Sequence, residues 1–255
     1  MKLTFLGTGT SQGIPVIGCR CEVCTSNDSK DKRLRCAALV SMEGYQILID
    51  SGPDIRQQLL REEIDQVQAV LISHEHYDHT GGLDDLRPII FSRDVPMDIY
   101  SLPYVLDTIR KKVDYAFGES KYPGAPKFHL ISCFPGQKIN LGPLKIIPLD
   151  IGHGELNILG FLFNQRLAYI TDANRIPDLT VEVLKNIDTL IISTLHHTPH
   201  HSHFTFSESL DAIVKINPRQ AFLIHMSHHL GKHESIQKTL PPNICLAYDQ
   251  LTIEI

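Results

Sequence analysis

The sequence lacks the features that mark membrane, secreted and polyanion-binding proteins. No apolar run approaches the roughly 18 residues that suggest a membrane span. The first stretch, Met1–Gly7, runs into a glycine-rich turn without the layout of a signal peptide. Lys and Arg total 24 against 29 Asp and Glu, a formal charge of −5, so a broad basic surface for nucleic acid is not expected. We therefore expect a cytoplasmic protein with no membrane association.

The chain also lacks internal repeats and Ser/Gly-rich linkers, so a single domain over residues 1–255 is expected. Apolar runs predict many strands early in the chain, and strands alternating with helical periodicity later, which favours a layered α/β domain. The predicted strands are Lys2–Leu6, Cys36–Val40, Gln46–Ile49, Ala69–Ser73, Asp98–Ser101, Leu144–Leu149, Gly160–Phe163, Leu167–Ile170, Thr189–Ser193 and Ala221–Ile224. The predicted helices are Pro53–Arg61, Asp178–Lys185 and Ser207–Ile216.

The sequence has six cysteines, and their positions divide into two kinds. Cys36, Cys133 and Cys245 are scattered through apolar stretches and are expected to be buried thiols. The other three, Cys19, Cys21 and Cys24, fall within six residues. In a chain without a secretion signal, such a cluster indicates a metal site. A closed tetrahedral zinc site would need one further ligand.

Histidine is abundant, with 14 residues, and its densest cluster follows the predicted strand Ala69–Ser73. Side chains at alternate positions of an extended backbone face the same side. Two histidines are therefore expected to face a metal together, while the interleaved Glu75 and Tyr77 point away. An Asp and a third His follow where the chain turns and can reach a second metal. The four residues of this cluster are His74, His76, Asp78 and His79.

This H-x-H-x-D-H motif after a strand resembles the signature of the metallo-β-lactamase superfamily. The resemblance implies the α/β fold of that family, a four-layered αβ/βα sandwich, and further site residues at later strand ends. Asp50 would orient a ligand by hydrogen bonding. The implied centre has one metal on His74, His76 and His153, a second on Asp78, His79 and His225, and Asp172 bridging the two.

The cysteine cluster resembles one branch of the superfamily, that of PhnP-type phosphodiesterases. The resemblance implies a structural zinc on Cys19, Cys21, Cys24 and His228. It also implies a general acid in the His-rich segment that precedes the helix at Ser207, where His203 matches best and His200 and His201 are alternatives. His229 and His233 have no matching role and are expected at the surface.

The leading functional hypothesis is a phosphodiesterase that hydrolyses small or cyclic phosphate diesters through a hydroxide bridging two divalent ions, Zn or Mn. Asp78 and His203 would be its catalytic residues. The alternatives are a tRNA 3′-end processing endonuclease of the same superfamily and a non-catalytic zinc-binding protein. The segment Lys111–Lys127 is expected to be a surface loop or a substrate-contacting lid. The expected binding partner is a small phosphodiester substrate. The sequence is compatible with a homodimer as well as with a monomer.

Overall fold

The computed structural model describes residues 1–117 and 124–255. The strands in these ranges are β1 (Lys2–Gly7), β2 (Ala37–Met42), β3 (Tyr45–Ile49), β4 (Ala69–Leu71), β5 (Met97–Ser101), β6 (Phe128–Ser132), β7 (Ile139–Leu141), β8 (Leu144–His153), β9 (Leu156–Phe163), β10 (Leu167–Ile170), β11 (Thr189–Ser193), β12 (Gln220–Ile224), β13 (Ile244–Leu246) and β14 (Thr252–Glu254). The α-helices are α1 (Ile55–Arg61), α2 (Tyr77–Thr80), α3 (Arg87–Arg93), α4 (Pro103–Lys112), α5 (Asp178–Leu184), α6 (Phe206–Ile216) and α7 (His233–Gln237).

The strands form two seven-stranded mixed sheets. The first has the order β14-β1-β2-β3-β4-β5-β6 and the second the order β13-β12-β11-β10-β9-β8-β7. Strands β3 to β6 run parallel to one another, as do β10 to β13. Because parallel strands end at the same edge of a sheet, the loops after β3, β4, β10 and β12 can build a common site.

The two sheets pack face to face, and helices cover their outer faces. Phe5 and Ile47 of the first sheet share one apolar core with Phe161 and Tyr169 of the second. Helices α1, α3 and α4 pack on the outside of the first sheet, and α5 and α6 on the outside of the second. The layers are therefore helix, sheet, sheet and helix, which confirms the predicted αβ/βα sandwich.

All ten predicted strands and all three predicted helices are present, with small shifts of their ends. The sequence analysis missed β6, β7, β13 and β14 and the helices α2, α3, α4 and α7. Most of these elements are three to five residues long, which is too short for a periodic pattern to emerge. Within the predicted loop Lys111–Lys127, residues 118–123 lie outside the described residues. None of the described helices has the length and apolar character needed to cross a membrane.

Candidate metal centre

Three strand ends carry their polar side chains on left-handed backbone. Asp50 follows β3, Asp172 comes two residues after β10, and His225 follows β12. Their φ angles are 61°, 54° and 59°, a region that residues other than glycine rarely adopt. Such strain persists where the surrounding structure fixes it, and it clusters at functional sites. Each strand therefore turns sharply as it ends, and its side chain lies at the edge where the two sheets meet.

A first group of imidazoles consists of His74, His76 and His153, whose ligand atoms lie within 4.8 Å of one another. His74 Nε2 is 2.9 Å from His76 Nδ1. The ring of His153, the last residue of β8, is held from behind, because its Nδ1 lies 2.6 Å from the Asp172 carbonyl oxygen and 2.8 Å from that of Ser202. With Nδ1–H donating to these carbonyls, Nε2 is left as a free ligand atom.

A second group joins helix α2 to the second sheet. It contains Asp78, His79, Asp172 and His225. His79 Nε2 lies 3.2 Å from Asp78 Oδ2 and 3.3 Å from Asp172 Oδ1, and His225 Nε2 lies 3.2 Å from Asp172 Oδ2. His74 Nε2, in the first group, lies 3.9 Å from the same Asp172 Oδ2. The Asp172 carboxylate therefore lies between the two groups.

Asp50 fixes the ring of His79 and the start of the segment His74–His79 after β4, which we call the metal loop. Its Oδ2 lies 2.7 Å from His79 Nδ1 and accepts from the Ser73 hydroxyl, while its Oδ1 accepts from the Ser73 backbone N–H. Gly52 gives α2 room to approach, because a Cβ at Gly52 would lie 1.9 Å from the Asp78 carbonyl oxygen. Asp50 thus occupies the orienting position that the resemblance implies.

The donor atoms fit divalent metal ions. Among the described residues, the buried Nε2 atoms of His79 and His225 have no hydrogen-bond partner, a costly state unless something else binds them. Burial, reinforced by His79, holds the pKa of His74 well below its usual value, so this imidazole is neutral. Burial raises the pKa of Asp172, but the neighbouring His225 and His79 outweigh it and keep the carboxylate ionised. Burial lowers the pKa of His79, but the carboxylates of Asp172, Asp78 and Asp50 outweigh it and raise that pKa well above its usual value. Metal binds neutral imidazole and ionised carboxylate, so binding at His79 would release a proton.

His203 lies beside the two groups. Its Nδ1 is 3.8 Å from Asp172 Oδ2, and its ring stacks on His225 with centroids 4.8 Å apart. Burial and the neighbouring His225 lower the pKa of His203 to about 3. The ring centroid of His200 lies 5.1 Å from that of His203, farther from the two ligand groups, and His201 is exposed. Of the three candidate acids, His203 is thus the one that contacts the centre.

The cysteine cluster and His228 come together at a separate place. The three sulfur atoms of Cys19, Cys21 and Cys24 lie 3.3, 3.3 and 3.5 Å from His228 Nδ1. Ligands of a tetrahedral zinc site at usual bond lengths are separated by about 3.6 Å for sulfur and nitrogen. A backbone hydrogen bond from Cys24 and the contact with His228 lower the pKa of Cys21 to about 6. The site therefore fits one zinc ion.

Two expectations about single residues are wrong. His233 is buried at 6% exposure rather than at the surface: its Nδ1 is 3.1 Å from Arg33 Nη2, and its backbone N–H donates to Asp31. Cys245 is half-buried rather than buried, because β13 lies at the edge of its sheet. His229 is exposed as expected, and the buried positions of Cys36 and Cys133 confirm the analysis.

Three further side chains meet where β8 ends and β9 begins and were missed: Tyr104 of α4, Asn157 of β9 and Arg175. The Tyr104 hydroxyl donates to the Asn157 carbonyl oxygen at 2.9 Å, and Arg175 Nη2 lies 3.4 Å from Asn157 Oδ1. Burial and the nearby Glu75 raise the pKa of Tyr104, so it remains a neutral donor. No sequence pattern links these residues, because only the fold brings them together.

Comparison with known proteins agrees with this fold and site. The family model described as a beta-lactamase superfamily domain matches residues 45–226. A crystal structure described as a new diphosphatase from the PhnP family is 36% identical, with a TM-score of 0.92, and the match covers 100% of this chain and 97% of that one. The octanoyltransferase of Porphyromonas gingivalis is 42% identical over 253 residues, 98% of this chain and 51% of the relative. The ribonuclease Z of Bradyrhizobium diazoefficiens is 30% identical over 166 residues, 63% of this chain and 49% of the relative.

The chain belongs to the metallo-β-lactamase superfamily, and its domain is that of a metal-dependent hydrolase. Within the superfamily it lies near the PhnP family. It spans about half the length of the octanoyltransferase that it matches.

Proposed function

We propose that residues 1–255 act as one phosphodiesterase domain that hydrolyses small or cyclic phosphate diesters with two divalent ions, zinc or manganese. The observation that carries this proposal is the position of the Asp172 carboxylate between two ligand groups, with the His203 ring beside it. Two dications placed 3.5 to 4 Å apart suit the displacement at a phosphate group. The likeness to a PhnP-family diphosphatase supports the same reaction class.

The residues of the chain divide the work. One ion would be held by His74, His76 and His153, and the other by Asp78, His79 and His225. Asp172 would contact both ions. When bound, the ions would supply Lewis-acid chemistry and neutralise charge on the phosphate group. Asp78 belongs to the ligand set and would act in catalysis by fixing the second ion. Asp50 and the carbonyl oxygens behind His153 keep the imidazoles in one orientation.

His203 would donate a proton to the leaving oxygen. Its pKa of about 3 reflects burial and the neighbouring His225, which outweigh the opposite effect of Asp172. An anionic phosphate bound beside the ring would raise that pKa, because a nearby negative charge favours the protonated imidazole. The ring would then carry a proton where the alkoxide of the leaving group needs one.

A tRNA 3′-end processing endonuclease is the second candidate, favoured by the likeness to ribonuclease Z. The net charge of −5 weighs against a tRNA substrate. Between His153 and Asp172, where every residue is described, the chain forms only β9, a tight turn and β10, so this segment holds no tRNA-gripping arm. A non-catalytic zinc-binding protein is less well supported, because all seven ligand positions converge.

A substrate panel tests the proposal. Metal-loaded protein should hydrolyse bis(p-nitrophenyl) phosphate and a 2′,3′-cyclic nucleotide and leave a precursor tRNA intact. An octanoyl thioester belongs in the panel because the relative named octanoyltransferase is about twice as long as this chain, so its name does not assign acyl transfer to the matched half. Cleavage of the tRNA or the thioester without diester hydrolysis would contradict the proposal.

A further inference from the structure

Arg175 pairs through its backbone with Gly152 near the end of strand β8. The Gly152 N–H donates to the Arg175 carbonyl at 2.9 Å, and the Arg175 N–H donates to the Gly152 carbonyl at 3.3 Å. Gly152 directly precedes His153. A Cβ at Gly152 would lie 2.8 Å from Arg175 Nε and 2.9 Å from Nη2. The glycine thus leaves the space that the guanidinium occupies.

This guanidinium lies where β8 ends and β9 begins, next to Asn157. Gly152 pairs with Asn157 across β8 and β9, so the two residues share one face of the second sheet. Leu159, two residues further along β9, belongs to the core between the sheets, and its N–H donates to the carbonyl of Ser73, the residue before His74. Leu156, the residue before Asn157, pairs with His153, so Asn157 and the guanidinium beside it lie one strand position from that residue of the first imidazole group.

The donors of Arg175 are nearly unused. Within residues 1–117 and 124–255, the one hydrogen bond of its guanidinium is the long contact with Asn157 Oδ1, and the side chain forms no ion pair. Arg35 beside Asp54 and Arg166 beside Asp188 have carboxylate partners, whereas Arg56 and Arg219, like Arg175, form no ion pair within the described residues. A guanidinium offers five N–H donors in a planar fork that matches the oxygens of a phosphate. An exposed guanidinium whose backbone pairs with the residue before His153 fits an anionic group of the substrate.

We infer that Arg175 and Asn157 form a subsite for a second phosphate of the substrate, adjacent to the phosphate at the metal centre. This inference rests on the proposed phosphodiesterase function and adds diesters of diphosphate to its substrates. The Tyr104 hydroxyl, which donates to the Asn157 carbonyl, ties β9 to α4 and keeps the subsite at a fixed distance from the metal loop. Hydrolysis of a symmetric substrate of this class, diadenosine diphosphate, consumes one water and gives two molecules of AMP.

The test compares Arg175→Ala and Arg175→Lys with the unmodified protein on two substrates, diadenosine diphosphate and bis(p-nitrophenyl) phosphate. Arg175→Ala should lower kcat/KM for diadenosine diphosphate roughly 10- to 100-fold, because one or two charge-assisted hydrogen bonds are lost. The kcat/KM for bis(p-nitrophenyl) phosphate should change less than about twofold. Arg175→Lys should recover part of the loss, since it restores the charge without the fork. Arg166→Ala removes a paired arginine at the start of β10, away from the centre, and should leave both substrates unchanged.

A binding measurement accompanies the kinetics. Titration of methylenediphosphonate into metal-loaded protein should show weaker binding to Arg175→Ala than to Arg166→Ala. Equal losses on both substrates, or an unchanged diphosphate reaction with unchanged binding, would overturn the subsite. If the unmodified protein hydrolyses neither substrate, the proposed phosphodiesterase function is wrong. The titration would then still decide whether Arg175 binds a diphosphate.

Discussion

At the scale of the residue, the site depends on side chains held by contacts far apart in the chain. The six-residue cluster His74–His79 could be predicted because its ligands are contiguous, and the single residues Asp172 and His225 could be placed only through the family resemblance. Arg175 could not be predicted, because its place depends on the missing Cβ of Gly152. The burial of His233 was missed for a similar reason, since its partners Arg33 and Asp31 are about 200 residues away in sequence.

His203→Ala should slow substrates with poor leaving groups most. An alkoxide leaving group needs a proton, whereas p-nitrophenolate departs without one, and general acid catalysis is worth roughly 10²- to 10⁴-fold. We expect a loss of that size on a 2′,3′-cyclic nucleotide and a much smaller loss on bis(p-nitrophenyl) phosphate, with metal content unchanged. His201→Ala, at an exposed position of the same loop, is the matched control. Equal losses on both substrates would assign His203 to binding, and full activity would transfer the role to His200 or His201.

His233 should make stability depend on pH. Burial, together with the positive charge of Arg33, lowers its pKa from 6.5 to about 4 in the folded chain. Between pH 4 and 6.5 the His233 imidazole binds a proton more strongly in the unfolded chain than in the folded one. The stability that neutral His233 contributes is therefore complete above about pH 6.5 and is lost as the pH falls toward 4. His233→Asn keeps an acceptor for Arg33 but cannot titrate.

Thermal unfolding from pH 7.5 to 5 measures this effect. The Tm of the unmodified protein should fall more steeply than that of His233→Asn, with about 2–4 °C for each kcal/mol lost. The exposed His229→Asn should follow the unmodified protein. Parallel Tm curves for all three proteins would show that His233 contributes no pH dependence.

At the scale of the element, the loop after β12 connects the two sites. It carries His225 at the metal centre and His228 at the cysteine cluster, and its Met226 exchanges backbone hydrogen bonds with Thr8 and Thr10 of the loop after β1. A zinc ion on the cysteines and His228 would therefore fix both loops and, through them, the position of His225. The sequence suggested the ligands of this site but not the backbone pairing, which forms only when the second sheet closes on the first.

Cys21→Ser should lower stability before it affects chemistry. Closed structural zinc sites contribute binding energy to folding, so loss of one ligand should lower Tm by roughly 5 °C or more. The half-buried Cys245→Ser on β13 is the matched control and should change Tm little. Elemental analysis after mild chelation should leave about one zinc per chain in the unmodified protein and less in Cys21→Ser. Full thermal stability together with lost turnover would mean that the two metal sites are misassigned.

At the scale of the whole molecule, the two sheets each supply part of the centre. His74, His76, Asp78 and His79 follow β4 of the first sheet, whereas His153, Asp172 and His225 belong to the second. Each ligand group contains residues from both sheets, so the centre is complete only when the four-layered sandwich is assembled. The strands could therefore be predicted from local sequence patterns. The grouping of ligands from the two sheets could be predicted only through the family resemblance, because it forms only in the complete fold.

The most direct test of the account is turnover of bis(p-nitrophenyl) phosphate during titration of Mn²⁺ into mildly chelated protein. Activity should rise until two equivalents per chain have bound, beyond any zinc that the cysteine cluster retains, because Asp172 lies between the two proposed ion sites. Asp78→Ala and Asp172→Ala should stay folded and lose roughly 10³-fold or more of this activity, while Asp188→Ala, on the surface, should behave as the unmodified protein. Turnover that saturates at one equivalent, or none at any metal load, would contradict a dinuclear phosphodiesterase.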